Sequence, residues 1–143
     1  MAYDWGIADY ATIACEDGTF RTVANPRHLN RELEALKVRA RELSKQARRR
    51  AIAHGALRKA RRALAKAFAK LAARRKDFLH KLSAQLVAEH DLIATEELAV
   101  RNMSASARGT IEEPGRNVAQ KAGLNRAILD GAPSTFLNMV RYK

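Results

Sequence analysis

The segment from Leu29 to about Glu89 most constrains the fold, because its apolar residues recur at a helical spacing. The apolar positions lie three or four residues apart, with one break: Leu29, Leu33, Leu36, Ala40 and Leu43, and then Leu57, Leu64, Phe68, Leu71, Phe78, Leu82 and Leu86. This pattern predicts two long helices that pack through their apolar faces. The turn between them is expected near Gly55, in the sequence AHGA, because glycine interrupts a helix.

The predicted helical pair is strongly basic. Between Arg27 and Lys81 there are 19 Lys and Arg residues and four acidic ones, a net charge of +15, whereas the whole chain of 143 residues carries +12. Acidic neighbours along the helices cannot neutralise this excess, so a solvated charged face is the weaker interpretation. A polyanionic partner is predicted, nucleic acid first and an anionic membrane surface second.

The Lys and Arg residues of 37–76 are expected to contact the phosphates of nucleic acid. Those most clearly clustered are Arg48, Arg49, Arg50, Arg58, Lys59, Arg61, Arg62, Arg74, Arg75 and Lys76. Phosphate contacts of this kind give salt-dependent affinity with little choice of base sequence.

The first 24 residues have a different composition, with β-branched and aromatic residues separated by turn residues. Asp17 and Gly18 stand between two such runs and predict a hairpin, because both residues tolerate positive φ. We expect two or three antiparallel strands here. Asn25 and Pro26 then predict the start of a helix, as N-cap and first-turn residues.

The C-terminal part begins with another apolar run. Residues 90–98, HDLIATEEL, predict one strand that joins the same sheet. Residues 101–123 are rich in Ser, Gly and Pro without a period and predict a mobile loop. Residues 124–142 predict a closing helix that is interrupted at Gly131 and Pro133.

Two acidic residues share one setting, since Asp4 and Glu96 each lie in or just after a predicted strand. If the two strands are neighbours, both carboxylates can reach one point, and Mg²⁺ or Mn²⁺ suits such an oxygen-lined site. Metals held in this way activate water and stabilise the leaving oxygen in nucleases. From the residues alone the alternative stays open that both are ordinary surface acids.

Other classes of site find little support in the sequence. Cys15 is the single cysteine, which excludes an intrachain disulfide and a CxxC zinc site, and it is expected to be a small buried residue. The histidines, His28, His54, His80 and His90, have no spacing that suggests a shared metal. There is neither a long apolar run nor a secretory signal, so we expect a cytoplasmic protein without a membrane partner.

Four stretches of the sequence carry a family resemblance: YDWGIADYATIACEDG, ANPRHL, RRKDFLHKLSAQLVAEHDLIATEELAV and GLNRAILDGAPSTFLNMVRYK. Together they resemble the RuvC-like nuclease domain of the TnpB (OrfB) proteins encoded by transposons of the IS200/IS605 type. The most specific parts are DWG, DFLHKLS and the EEL that follows the second predicted strand.

The resemblance implies an α/β, ribonuclease-H-like fold and RNA-guided, metal-dependent cleavage of DNA, with DNA and a guide RNA as partners. Asp4 matches the first catalytic carboxylate of that domain and Glu96 the second, while Glu97 is the neighbouring acid. The implied layout is a partial RuvC-like domain with first strands at 1–27, a basic helical hairpin at 28–89, the second acidic strand at 90–100, a loop at 101–123 and a closing helix at 124–143.

The family also carries a third carboxylate, beyond a zinc ribbon, and this sequence reaches Lys143 before either. A truncated nuclease is therefore expected, which would hold its metal weakly. The alternative is a catalytically inactive remnant that binds nucleic acid, and a third possibility is a decayed product without activity.

Overall fold

The computed structural model describes residues 1–48 and 54–143, and it has the predicted α/β character. Two compact units are present: the sheet unit, Met1–Arg27 with Phe78–Lys143, and the helical unit, His28–Asp77. The elements are β1 (Ala2–Trp5), β2 (Asp9–Ala14), β3 (Phe20–Ala24), α1 (His28–Arg48), α2 (His54–Glu89), β4 (Ala94–Thr95), α3 (Val100–Met103), α4 (Val118–Gly131) and α5 (Pro133–Tyr142).

The sheet has four strands in the order β3-β2-β1-β4. β1 pairs with β2, and β2 with β3, in antiparallel fashion, whereas β1 and β4 are parallel, so the sheet is mixed. The predicted hairpin turn is confirmed: Gly18 has a φ of 80°, and the Asp17 carboxylate accepts hydrogen bonds from both the amide and the hydroxyl of Thr19. The apolar run at 90–98 does join this sheet, through the two residues of β4.

One face of the sheet carries the core. Tyr3 and Trp5 of β1 are buried, while Ala2 and Asp4 between them are exposed. The buried cluster joins the inner sheet face to the end of α2 and to the two C-terminal helices; its members are Met1, Tyr3, Trp5, Tyr10, Ala11, Ile13, Leu79, Leu82, Leu86, Ile128, Phe136, Leu137 and Met139. Cys15 is half-buried and packs at the edge of this cluster.

The C-terminal helices are interrupted where the sequence predicts it. Ala132 adopts a left-handed conformation between α4 and α5, and Pro133 is the first residue of α5. The prediction of a loop over 101–123 is wrong at both ends, because α3 reaches Met103 and α4 begins at Val118. Ser104 to Asn117 lie between helices, and a short bridge joins Gly109 to Pro114.

The helical unit contains α1 and the first part of α2. Leu36 and Leu71 are its buried leucines among the described residues, and an ion pair joins Arg74 to Glu32. Phe68 is half exposed, so the apolar stripe is a less complete core than its spacing suggests.

Two predicted boundaries of these helices need correction. Gly55 lies inside the first turn of α2, which begins at His54, and residues 49–53 lie outside the described residues. α1 begins at His28, later than predicted. Arg27 has a φ of 46°, a left-handed conformation that is incompatible with an α-helix, so the helix cannot begin before it. The Asn25 side chain does not cap the helix as predicted. Its Oδ1 accepts a hydrogen bond from the Arg27 amide, and its Nδ2 donates one to the Ile7 carbonyl. Within the described ranges, no helix combines the length and apolar character needed to cross a bilayer.

Candidate metal centre and nucleic-acid interface

The two predicted carboxylates lie on adjacent strands of the sheet unit. β1 and β4 run parallel with Ala2 opposite Ala94 and Tyr3 opposite Thr95. The observed pairs end there, and one further step of the same register would set Glu96, directly after β4, opposite Asp4. Neighbouring strands are about 4.8 Å apart, and residues in register lie on the same side of the sheet. The topology therefore makes neighbours of the two strand ends that carry these residues, which are 92 positions apart in the chain.

The local sequence keeps Asp4 on the outer face. Its neighbours Tyr3 and Trp5 are both buried, and side chains alternate along a strand, so Asp4 lies on the exposed side. Glu96 is exposed as well. Across the sheet, the register places Thr12 of β2 beside Asp4 and Thr22 of β3 beside Thr12. The acidic pair thus stands at the end of a polar row, and the neighbouring row on the same face contains Ala2, Ala14 and the exposed Phe20.

The pKa of the Tyr3 phenol depends in part on both carboxylates. Burial is the main cause that raises the pKa of the Tyr3 phenol, and contact with Tyr10 adds to it. The negative charges of Asp4 and Glu96 raise the same pKa further. Because charge effects weaken with distance, both carboxylates lie within electrostatic reach of one hydroxyl.

Buried aromatic contacts hold β1 in place. The ring of Tyr3 stacks on Phe136 with 5.1 Å between centroids, and the ring of Tyr10 meets Phe136 edge-on at 5.7 Å. The Tyr10 hydroxyl donates a hydrogen bond of 3.1 Å to the Gly131 carbonyl at the end of α4. The Ala94 amide donates to the Met1 carbonyl at 2.9 Å, which ties β4 to β1 beside the acidic pair.

The donor set fits a hard divalent cation that keeps most of its water. Mg²⁺ is commonly bound through one or two carboxylates, with water and substrate phosphate as its other ligands. Asp4 and Glu96 provide two such carboxylates. Across residues 1–48 and 54–143, no cluster of three or more His, Cys, Asp or Glu side chains could hold a metal ion. The described residues thus offer a pair of ligands and no more.

The helical unit contains the predicted nucleic-acid interface. Five basic residues of α2 follow one another at intervals of four, and all of them are exposed: Arg58, Arg62, Lys66, Lys70 and Arg74. Four helical residues rise about 6 Å and turn about 40° past a full circle, so this row winds gradually around the helix. Arg74 is engaged by Glu32, which leaves the first four members of the row facing solvent.

The other predicted phosphate-binding residues are more scattered. Lys59, Arg61 and Lys76 are exposed, Arg75 is half-buried, and Arg48 is exposed at the end of α1. Arg49 and Arg50 lie outside the described residues. Lys66 and Lys70 have no adjacent basic residue, so a search for clusters in the sequence misses them. Their spacing of four residues identifies them as members of the row.

Comparison with known proteins gives consistent results. The family model OrfB_IS605, described as "Probable transposase", matches residues 1–107. A protein of Escherichia coli (strain K12) named "Putative RNA-guided DNA endonuclease InsQ" is 34% identical over all 143 residues, and the match covers 34% of its own length. A "Putative RNA-guided DNA endonuclease" of Streptomyces pristinaespiralis is 33% identical over 143 residues, which is 30% of its length.

The chain thus spans about a third of the length of these two relatives. The matching family model includes both Asp4 and Glu96, together with the whole basic segment. Because the model covers most of the chain and both relatives align over all of it, the chain belongs to the OrfB_IS605 transposase family.

Proposed function

We propose that this chain is the RuvC-like part of a transposon-associated, RNA-guided DNA endonuclease, with a ribonuclease-H-like fold. The observation that carries the proposal is the parallel pairing of β1 with β4, whose register, continued by one residue, would set the exposed Asp4 opposite the exposed Glu96. Membership of the OrfB_IS605 family and the names of the two relatives support the same function.

In this proposal Asp4 and Glu96 bind Mg²⁺ or Mn²⁺. The bound ion would supply activated water and stabilise the leaving oxygen of a phosphodiester. The exposed position of both carboxylates leaves room for a phosphate group to approach them. The buried contacts of Tyr3 and Trp5 keep β1, and therefore the Asp4 backbone, in a fixed position.

The basic residues of the helical unit would hold the nucleic acids, DNA and the guide RNA. The α2 row sets basic residues about 6 Å apart along the helix axis, which suits contact with the backbone rather than with base edges. Arg48, Arg49, Arg50, Arg58, Lys59, Arg61, Arg62, Arg74, Arg75 and Lys76 remain the proposed contacts. No membrane partner is proposed.

A second candidate function is a catalytically inactive protein that still binds nucleic acid. It is favoured by the absence of a third potential metal ligand near Asp4 and Glu96 among the described residues. Loss of one member of a catalytic group reduces rates by orders of magnitude. This candidate keeps the basic segment and its partners but gives up hydrolysis.

The test uses the 143-residue chain and compares Asp4→Asn and Glu96→Gln with Asp9→Asn. Asp9 is an exposed acid at the start of β2, so its variant removes the same charge from the same sheet. We expect Mn²⁺ affinity, measured by calorimetry, to fall at least tenfold for the first two variants and to stay unchanged for Asp9→Asn. Equal affinity in all three variants would show that the acidic pair is not the metal site.

Cleavage assays separate the two functions. Labelled DNA is incubated with the chain, Mn²⁺ and a guide RNA, with and without a chelator. Cutting that requires both Mn²⁺ and Asp4 supports the endonuclease. Binding without cutting, at protein concentrations that saturate the DNA, supports the inactive nucleic-acid-binding protein instead.

A further inference from the structure

The outer face of the sheet, which carries Asp4, has two rows of side chains that cross its strands. The first, which we call the polar row, has three members that pair in register: Asp4, Thr12 and Thr22. The second lies two residues away along each strand, and we call it the apolar row: Ala94, Ala2, Ala14 and Phe20. Residues two apart on a strand are separated by about 7 Å, so the two rows run side by side.

The apolar row ends in an aromatic ring that faces solvent. Phe20 is 75% exposed, and its cross-strand neighbour Ala14 has a single methyl group, which cannot cover the ring. Ala2 and Ala94 continue the row and are exposed, so the surface beside the ring has little relief. One exposed apolar side chain is common on proteins and carries no inference by itself. The position of Phe20 is informative because its row runs past Asp4.

The polar row offers hydroxyl groups that the fold does not use. Thr22 is exposed and Thr12 is half-buried, and within the described residues neither hydroxyl forms a hydrogen bond. The Thr19 hydroxyl of the same hairpin, by contrast, donates to the Asp17 carboxylate. Among the described strand residues of the outer face, none is Lys or Arg. A phosphate on this face would therefore be held by hydroxyls and by a cation at Asp4.

A single nucleic-acid strand has the same two-sided chemistry as this face. One of its edges is the sugar-phosphate backbone, which forms hydrogen bonds and binds divalent cations. Its other edge is the series of bases, whose flat faces stack on aromatic side chains. Exposed aromatic residues on a four-stranded sheet stack bases in this way in other nucleic-acid-binding proteins. Because neighbouring pairs cover the base faces in a duplex, a ring such as Phe20 can stack only on an unpaired base.

We propose that the outer sheet face binds a single strand of DNA, with one base stacked on Phe20 and the backbone along the polar row. Two strand spacings and two residues separate Phe20 from Asp4, a distance of about 12 Å. The stacked base therefore lies within a few nucleotides of the phosphate at Asp4. Phe20 thus holds the strand that is presented to the metal. The proposal rests on the proposed function and names a contact that positions its substrate.

The test measures the affinity of the 143-residue chain for a labelled single strand of ten DNA nucleotides. Phe20→Leu keeps an apolar side chain and removes the aromatic face, whereas Phe20→Tyr keeps the face. Tyr142→Leu is the control, because it removes another aromatic ring, 64% exposed, from α5 of the same unit. All three substitutions are at exposed positions, so circular dichroism and urea unfolding should show the fold of the parent.

Fluorescence anisotropy is recorded at high salt, where contacts between phosphates and basic side chains are weakened and stacking remains. Loss of one stacked base is expected to weaken single-strand binding by about fivefold or more in Phe20→Leu. Phe20→Tyr and Tyr142→Leu should bind the strand as the parent does. A strand with abasic sites in place of its bases should bind equally to the parent and to Phe20→Leu, and so should a duplex of the same sequence.

Three outcomes would overturn the proposal: no single-strand binding by the parent, equal affinity of Phe20→Leu and the parent, or an equal loss for the intact and the abasic strand. Mn²⁺ titration separates this failure from that of the proposed function. Phe20 is not a metal ligand, so Phe20→Leu should keep the Mn²⁺ affinity of the parent. If Asp4→Asn loses Mn²⁺ while Phe20→Leu still binds the strand, only the stacking is wrong. If Asp4→Asn keeps its Mn²⁺ affinity, the proposed metal site is wrong, whatever Phe20→Leu shows.

Discussion

Replacing Gly131 with alanine is expected to destabilise the sheet unit, because the new methyl group would meet the ring of Trp5. A Cβ atom built on Gly131 lies 2.8 Å from Cζ2 of Trp5, 3.4 Å from Cε2 and 3.5 Å from Nε1. Trp5 is 7% exposed and belongs to the core, so its rigid ring has little space in which to move. Gly131 itself is buried at the end of α4.

The magnitude follows from two opposing effects. Forcing an extra methyl group into a packed core costs about 1–3 kcal/mol. Alanine is favoured over glycine inside a helix by about 1 kcal/mol, but Gly131 is the last residue of α4, where this preference counts less. We therefore expect a net loss of about 1–2 kcal/mol in the free energy of unfolding, which lowers Tm by roughly 3–6 °C in a chain of this size.

Gly123 provides a matched control in the same helix. It is half-buried, and a Cβ atom added there meets no heavy atom within 4 Å. Gly123→Ala should raise the free energy of unfolding by about 1 kcal/mol through helix propensity alone. Both variants are compared by urea unfolding followed by circular dichroism. If Gly131→Ala is as stabilising as Gly123→Ala, the close packing of Gly131 on Trp5 is incorrect.

Three further predictions concern hydroxyl groups and the hairpin turn. Tyr10→Phe should cost about 1–2 kcal/mol in urea unfolding, because it leaves the Gly131 carbonyl without its donor; an unchanged midpoint would contradict this. Burial raises the pKa of Tyr3 and of Tyr10 above the unfolded value near 10, so stability should be complete below about pH 10 and fall as the pH rises further. A thermal-melting series across this range tests the effect, which Tyr10→Phe should weaken. Gly18→Ala should lower stability by about 1 kcal/mol, because the φ of 80° suits glycine; an unchanged Tm would argue against that turn.

The local elements were predictable because they depend on neighbouring residues. The alternation in β1, the Asp17-Gly18 turn and the interruption at Pro133 are each determined within a few positions of the chain. The spacing of leucines likewise predicted that α1 and α2 are long helices. In these segments, turn chemistry and hydrophobic periodicity agree, so the interpretation is unambiguous.

Other features depend on contacts that no local pattern reveals. β4 has two residues, both exposed, and exists because it pairs with β1 rather than through its own composition. The first turn of α4 begins at Val118 in a polar stretch that resembles a loop, and contacts with α3 support it, including the bond from Lys121 to the Met103 carbonyl. The order of the strands makes β1 and β4 neighbours, which the sequence could offer only as a hypothesis.

The position of Asp4 is determined by the core and not by the carboxylate itself. A slip of one residue in β1 would bury Asp4 and expose Tyr3 and Trp5, which would remove both aromatic rings from the core. The register is therefore specified by the buried apolar residues rather than by the exposed Asp4. Asp4→Asn should leave the unfolding midpoint within about 0.5 kcal/mol of the parent, as is usual for an exposed substitution. A loss of metal binding in that variant can then be assigned to chemistry at the sheet face, whereas a large loss of stability would mean that the carboxylate also supports the fold.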